Sequence, residues 1–366
     1  GAADLEAMQK PQHMARLINW ALADLMLEHG EIVLCGEDVG PKGGVYNVTQ
    51  KLHARFGGDR VINTLLDEQS ILGLAIGMAH NGFLPIPEIQ FLAYLHNAED
   101  QVRGEAATLS FFSNGQYTNP MIIRIAGLGY QKGFGGHFHN DNSIAVLRDV
   151  PGVVIATPSN GGDAVPMLRE CVRLAREEQR VVVFLEPIAL YMTRDLHAEK
   201  DGLWTHPYPA PGEGRPIALG EVGVHGEGTD LAIVTYGNGA FLSRQAEKIL
   251  AESHGLAVRV VDMRWLAPLP EAGILAAVAA CGHVLVVDEC RTTGSQSEAL
   301  MALLAEKAVH RPKAVRIAAF DSFIPLGRAA TSTLPSRDGI VAAALDLVGK
   351  SAKPKTKPAK KPSAET

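Results

Sequence analysis

No run in this sequence approaches the roughly eighteen consecutive apolar residues that a membrane-crossing helix needs, and no charged-then-apolar leader opens it. Cysteine is scarce. Its four copies, Cys35, Cys171, Cys281 and Cys290, show no CxxC spacing, which argues against a zinc site. Cys35 and Cys290 lie in or beside apolar strand-like stretches and are expected as buried, reduced thiols. The thirteen histidines include no HExxH. The glycine-bearing stretch GPKGGVYNVT has neither GxGxxG nor a Walker lysine, and a lone glycine-rich loop is a weak phosphate signal. Basic residues are the minority: 34 Lys and Arg against 40 Asp and Glu leave a formal charge of −6. That balance is uneven, because the tail KSAKPKTKPAKKPSAET holds six lysines and one glutamate, so the rest carries about −11. Such a body does not suit nucleic-acid binding. An intracellular, cytoplasmic protein without membrane or nucleic-acid partners is expected.

What is present describes an ordinary globular chain. At 366 residues it is long enough for two domains, and 46% hydrophobic with 20% charged residues is normal for folded proteins. Residues 1–12 carry no pattern and read as an N-terminal arm. Over 13–29, Leu17, Ile18, Ala21, Leu22 and Leu25 form the apolar stripe of an amphipathic helix. Strands are expected at EIVLCG, LPIPEI, MIIRIAG, PGVVIA and VVVFLEP, with helices between them, including a long one over 95–112. Periodicity fades over 191–229, where Gly, Pro and His accumulate, and that stretch reads as a linker. A second βα alternation fills 230–350. Strands alternating with helices predict an α/β fold of two domains, 13–190 and 230–350, each a mostly parallel sheet flanked by helices. Residues 351–366, rich in Lys, Pro and Ala, are expected to be disordered. The chain opens on GAADLEAMQ without an initiator methionine, which fits a tag remnant or one half of a fused polypeptide.

The stretch over 64–94, TLLDEQSILGLAIGMAHNGFLPIPEIQFLAY, concentrates the chemistry. Glu68 opens an apolar helix that carries Gly73 and Gly77, and a short strand then delivers Glu88, Phe91 and Tyr94. A carboxylate at a helix mouth among apolar residues suits proton transfer. It equally suits a helix N-terminus, with the glycines letting two helices pack closely. Glu88 reads as an acid behind the site or a buried carboxylate satisfied by backbone. The segment GLGYQKGFGGHFHNDNS over 127–143 is too long and too glycine-dense for a simple turn, and loops of that kind are often functional.

Taken in order, the pieces GEDVGPKGGVYNVTQKL, FGGDRVINTLLDEQSILGLAIGMA, PIPEIQF, GGHFHNDNS, VPGVVIATPSN, VVVFLEPIALY, VVDMRWLAPL and VLVVDE resemble the beta subunit of a thiamine-diphosphate-dependent 2-oxoacid dehydrogenase. That is the decarboxylating component of the pyruvate and branched-chain complexes. The resemblance spans roughly residues 13–350. It implies a pyrimidine-binding domain followed by a transketolase C-terminal-like domain, and it gives individual residues tasks. Glu68 would hydrogen-bond the N1′ nitrogen of the cofactor's aminopyrimidine, and Tyr94, with Phe91 beside it, would offer an aromatic surface to that ring. His139 would be the catalytic histidine near the substrate carboxylate, with His137 just before it. The sequence departs from the family here, since Asn140-Asp141 stands where a Ser-Gln pair is usual.

The family's diphosphate motif, a GDG followed some thirty residues later by Asn, supplies hard oxygen ligands for Mg²⁺. It is missing. The near matches GGD at 57–59 and 161–163 and DG at 201–202 are out of frame. The resemblance therefore implies an alpha subunit that brings most Mg²⁺ ligands, an α₂β₂ heterotetramer, a lipoyl acyltransferase core as acceptor and a chain that is silent alone. It assigns no metal ligand here, and implies a structural K⁺ beside the histidine loop with unplaced ligands. Two other readings share these residues: an acetoin-cleaving or transketolase-like thiamine enzyme subunit, and a non-catalytic scaffold subunit.

Overall fold

The computed structural model of the protein describes residues 6, 8–131 and 136–350. Residues 1–5 and 7 of the expected arm, residues 132–135 of the glycine-dense segment and the whole of the 351–366 tail lie outside the described residues. In chain order the strands are β1 (Ile32–Gly36), β2 (Val61–Asn63), β3 (Leu84–Ile89), β4 (Met121–Gly127), β5 (Val154–Ala156), β6 (Val181–Pro187), β7 (Gly223–His225), β8 (Leu231–Thr235), β9 (Val258–Asp262), β10 (Trp265–Ala267), β11 (His283–Arg291) and β12 (Lys313–Ala319). They form two sheets, a seven-stranded one ordered β10-β5-β6-β4-β3-β1-β2 and a five-stranded one ordered β12-β11-β8-β9-β7. Pairing is parallel except for β10 on β5 and β7 on β9. The strands β1, β3, β4 and β6 are buried along their whole length, as expected of parallel strands covered on both faces.

The helix Met14–Glu28 forms on the predicted stripe, and its N-terminus is closed by His13, whose Nδ1 accepts from the Arg16 N–H at 3.3 Å. It shares one core with the helix Gly161–Glu178, over the face of the first sheet carrying Leu34, Ile86 and Phe184. The core on the opposite face runs into the second half of the chain: Ile123, Ile155 and Leu185 lie in one apolar cluster with Val234, Met263 and Val286. The halves are further joined by β10, which leaves the second sheet to pair with β5. A wide apolar junction of this kind makes a rigid pair rather than two tethered bodies.

One expectation is corrected. The long helix over 95–112 is three short pieces: a 3₁₀ helix Leu92–Ala98, a π-helical turn Gln101–Ala106 and an α-helical turn Leu109–Phe112. Leu92, Leu95 and Ala98 are the buried positions, at the spacing of three that stacks side chains one above another in a 3₁₀ helix. The stretch over 191–229 runs between the two sheets and is packed against both halves. It buries Tyr191, Trp204 and Tyr208 and ends in the edge strand β7, while Gln12 bridges to His206.

Candidate functional site

The C-terminal ends of β1, β3 and β4 open toward the same side of the first sheet, as ligand sites do in parallel α/β folds. Glu68 is the first residue of the helix Glu68–His80, which is capped by Asp67, whose Oδ2 accepts the Ser70 N–H at 3.3 Å. The Glu68 side chain is turned inward, leaving the residue 4% exposed, and its Oε2 accepts from Asn97 Nδ2 at 3.2 Å. Phe91 caps the 3₁₀ helix that carries Tyr94 and Asn97.

Three rings meet edge to face beside this carboxylate. The Phe91 and His139 centroids are 4.5 Å apart, Phe91 and Tyr94 5.6 Å, and Tyr94 and His139 6.2 Å. Edge-to-face contacts at these separations hold each ring plane against the next. Burial, with the negative charges of Glu37 and Glu68, pushes the Tyr94 hydroxyl above its ordinary value. Glu37, just past β1, is raised by burial and by the Asp38 and Glu68 charges, against a smaller opposite pull from Lys42. An acidic wall therefore faces the aromatic one. The expected residues Glu68, Phe91, Tyr94 and His139 are thus brought together, while His137 is not among them. Its ring lies on Phe138 at 4.1 Å and near Phe323 at 5.5 Å, on the exposed side of the loop.

The departure at Asn140-Asp141 has a structural account. Asn140 is buried, its Nδ2 donating to the Gln131 carbonyl at 3.0 Å and its Oδ1 accepting the Gln131 N–H at 2.9 Å, which closes the loop like a pair of strand bonds. Asp141 accepts from the Ser143 hydroxyl and N–H and lies 3.6 Å from Arg291 of the second half. Gly136 begins this turn at φ +54°, where a Cβ would come 2.5 Å from Leu326 Cδ2, so both backbone and space require glycine.

Glu88 belongs to a different constellation. The register sets it opposite Arg124 on β4, with Glu186 two residues past Arg124's partner on β6, so all three side chains share one face. Arg124 Nη1 donates to Glu88 at 2.5 Å, Nε and Nη2 donate to Glu186 at 2.7 and 2.9 Å, and the Tyr191 hydroxyl adds a bond to Glu186 at 2.5 Å. Glu88 is therefore satisfied by a guanidinium, where a backbone donor was one expectation. Its Oε1 has no hydrogen-bond donor among the described residues. Burial raises the Glu88 carboxyl while Arg124 pulls it down, and the balance stays above the ordinary value.

Sequence reasoning missed Arg124, Glu186 and Asn97. A lone arginine inside the apolar run MIIRIAG was the available sign of the first, and the three-residue spacing of Phe91, Tyr94 and Asn97 was the sign of the last.

The glycines of the Glu68–His80 helix do not seat a second helix of this chain. A Cβ at Gly73 or Gly77 would meet nothing within 4 Å, and Leu65, Leu66 and Leu74 beside them are 83%, 69% and 40% exposed. Among the described residues no three His, Cys, Asp or Glu side chains are grouped to hold a metal ion. A buried carboxylate next to clustered aromatic rings fits the aminopyrimidine end of thiamine diphosphate.

Comparison with known proteins covers nearly the whole chain. Residues 10–193 match the family described as transketolase, pyrimidine binding domain, and residues 220–336 match transketolase, C-terminal domain. The chain is 34% identical to the pyruvate dehydrogenase E1 component subunit beta of Staphylococcus aureus, over 90% of this chain and 96% of that one. The corresponding subunit of Bacillus subtilis is 33% identical over the same shares. Among solved structures, a split-gene transketolase described as an inactive β4 tetramer superposes with a TM-score of 0.71 at 20% identity, covering 93% of this chain and 99% of that one. A transketolase variant from Pichia stipitis gives 0.64 at 17%, covering 93% and 46%. At such identities the structures establish the shared fold.

Proposed function

The chain belongs to the beta subunits of thiamine-diphosphate-dependent 2-oxoacid dehydrogenases, and on that footing we propose that it contributes the pyrimidine half of an active site completed by an alpha subunit. The reaction is the oxidative decarboxylation of a 2-oxoacid, pyruvate or a branched-chain one, with transfer of the acyl group to the lipoyl arm of an acyltransferase core. The observation that carries this reading is the convergence of Glu68, Phe91, Tyr94 and His139 on one side of the first sheet.

Thiamine diphosphate, when bound, supplies a nucleophilic carbon for the keto group and an electron sink for the departing CO₂. The chain's own residues do the rest. Glu68 shares a proton at its carboxylate with the pyrimidine N1′, and its burial strengthens that hydrogen bond because water does not compete for it. Tyr94 and Phe91 present a rigid apolar surface that fixes the pyrimidine and keeps water from Glu68. His139, held against both rings, binds or protonates groups near the substrate carboxylate.

The need for a partner is supported by the open helix face at Gly73, Gly77 and Leu74, next to Glu68, and by a sequence without the family's GDG and Asn diphosphate motif. An α₂β₂ heterotetramer, Mg²⁺ held mainly by the alpha subunit, a structural K⁺ and a cytoplasmic location complete the proposal. The split-gene transketolase, described as inactive as a β4 tetramer, offers a parallel. Assays of the chain combined with its alpha subunit test the reading. Pyruvate or a branched-chain 2-oxoacid is decarboxylated with a lipoyl acceptor, and that activity is absent from either chain alone. Turnover only with sugar aldehydes as acceptors contradicts it and favours a transketolase.

A further inference from the structure

In a 3₁₀ helix, side chains three residues apart stand one above another. The helix Leu92–Ala98 therefore has three ridges, and the sequence uses each differently. Leu92, Leu95 and Ala98 are buried and anchor it in the core. Phe91, Tyr94 and Asn97 form a second ridge that faces the site: two rings against His139, and the Asn97 amide on Glu68 Oε2 at 3.2 Å. His96 stands on the third. Its Nε2 is 3.3 Å from Ser143 Oγ, and its Nδ1 is 3.4 Å from Glu99 Oε2. The Ser143 hydroxyl donates to Asp141, which leaves its oxygen as the acceptor of a His96 Nε2–H. One short turn therefore touches both ends of the site, the acid through Asn97 and the histidine loop through His96.

We propose that this turn is the spacer of the active site, with Asn97 a positioning residue for Glu68 and His96, acting through Ser143, a positioning residue for the loop that carries His139. The inference rests on the roles given above to Glu68 and His139. Its physical basis is that a carboxylate with one oxygen fixed by a neutral amide keeps its second oxygen aimed, whereas an untethered one samples other rotamers. A misplacement of about 1 Å costs on the order of a hundredfold in rate. His96 and Asn97 are both exposed, so neither is needed to fill the core. Asp141 ties the far side of the same loop to Arg291 at 3.6 Å, so His96 opposes a fixed anchor rather than a loose end.

The test uses the full chain, alone and assembled with its alpha subunit. Asn97→Ala and Asn97→Asp lower kcat about ten- to hundredfold while KM for the 2-oxoacid moves by less than about threefold, because aim matters in the transition state more than in binding. Asn97→Asp keeps the shape and removes the donor, and it carries the test if Asn97→Ala does not assemble. In the chain without cofactor, His96→Ala and Ser143→Ala speed amide hydrogen exchange over residues 136–143 by about tenfold, and Ser143→Thr restores the slow rate. Normal kcat in the Asn97 variants beside a collapsed Glu68→Gln overturns the Asn97 role and leaves the reading of Glu68 standing. Unchanged loop exchange in His96→Ala overturns the His96 role, whatever Ser143→Ala does, because Ser143 also bonds Asp141. Full activity in Glu68→Gln overturns the functional reading itself.

Discussion

Glu68 and Glu88 are equally hidden from solvent, each 4% exposed, yet they are held in opposite ways. Glu88 faces a guanidinium that also grips Glu186, inside a cluster closed by Tyr191 and spanning β3, β4 and β6. Glu68 faces one neutral amide, offered by an exposed residue on a short helix. Burial alone thus says little about what a carboxylate does. Fixed, charged donors on several strands make Glu88 part of the framework, where removal of one partner strands a buried charge. A single light tether leaves Glu68 able to exchange partners, which the proton transfer proposed for it requires.

The largest effect expected is at Glu68. Replacing it with Gln lowers kcat of the assembled enzyme about 10²- to 10⁴-fold, while the urea midpoint of the chain stays close to wild type. Arg124→Ala reverses the pattern. It costs about 3–5 kcal/mol of folding stability, seen as a large fall in the urea midpoint, because Glu88 and Glu186 are left buried without their cation. Were Glu68→Gln the destabilising change and Arg124→Ala the silent one, the contrast between the two carboxylates would be wrong.

A smaller effect sharpens the comparison with a third buried acid. Glu289 lies between the halves and accepts from the Asn238 N–H and side-chain amide at 2.9 and 2.8 Å and from the Gly129 N–H at 3.2 Å. Burial outweighs those donors and pushes its carboxyl up to about 8. The folded chain therefore keeps a proton that the unfolded chain releases. Stability from this group is complete below the ordinary carboxylate range and is lost as pH rises toward 8, with a slope of at most about 1.4 kcal/mol per pH unit. Glu289→Gln flattens that decline in thermal or urea unfolding measured across pH 5 to 8. A decline identical to that of wild type contradicts the assignment. The smallest effect is at Asp67. Its replacement by Ala removes the cap of the helix that presents Glu68 and costs about 1 kcal/mol in urea unfolding, with only a modest loss of kcat.

Much of the fold is written in the apolar runs. The strands LPIPEI, MIIRIAG and VVVFLEP appear with the predicted limits, because a continuous apolar stretch bounded by Gly, Pro or polar residues has few other places to go. Pairing across the halves was not legible. WLA is a short stretch whose placement on β5 depends on its neighbours in space rather than on its own pattern. The 3₁₀ helix was hidden for a related reason: over so few residues, spacings of three and of 3.6 diverge by less than a turn. The roles proposed for Glu68 and His139 rest on the ordered motifs around them. Asn97 has no motif, and only the geometry gives it a partner. Arg124 stood in plain view as a charge in an apolar strand, but its two acids come from different strands and cannot be paired from sequence spacing.

The central claim is that this chain holds half of a cofactor site. Calorimetric titration of thiamine diphosphate with Mg²⁺ into the chain alone, and then into the chain assembled with its alpha subunit, tests it most directly. The account predicts no measurable binding to the lone chain and tight, Mg²⁺-dependent binding to the assembly. Tight, Mg²⁺-dependent binding to the lone chain would contradict it, since the diphosphate site would then have to be built from residues of this chain.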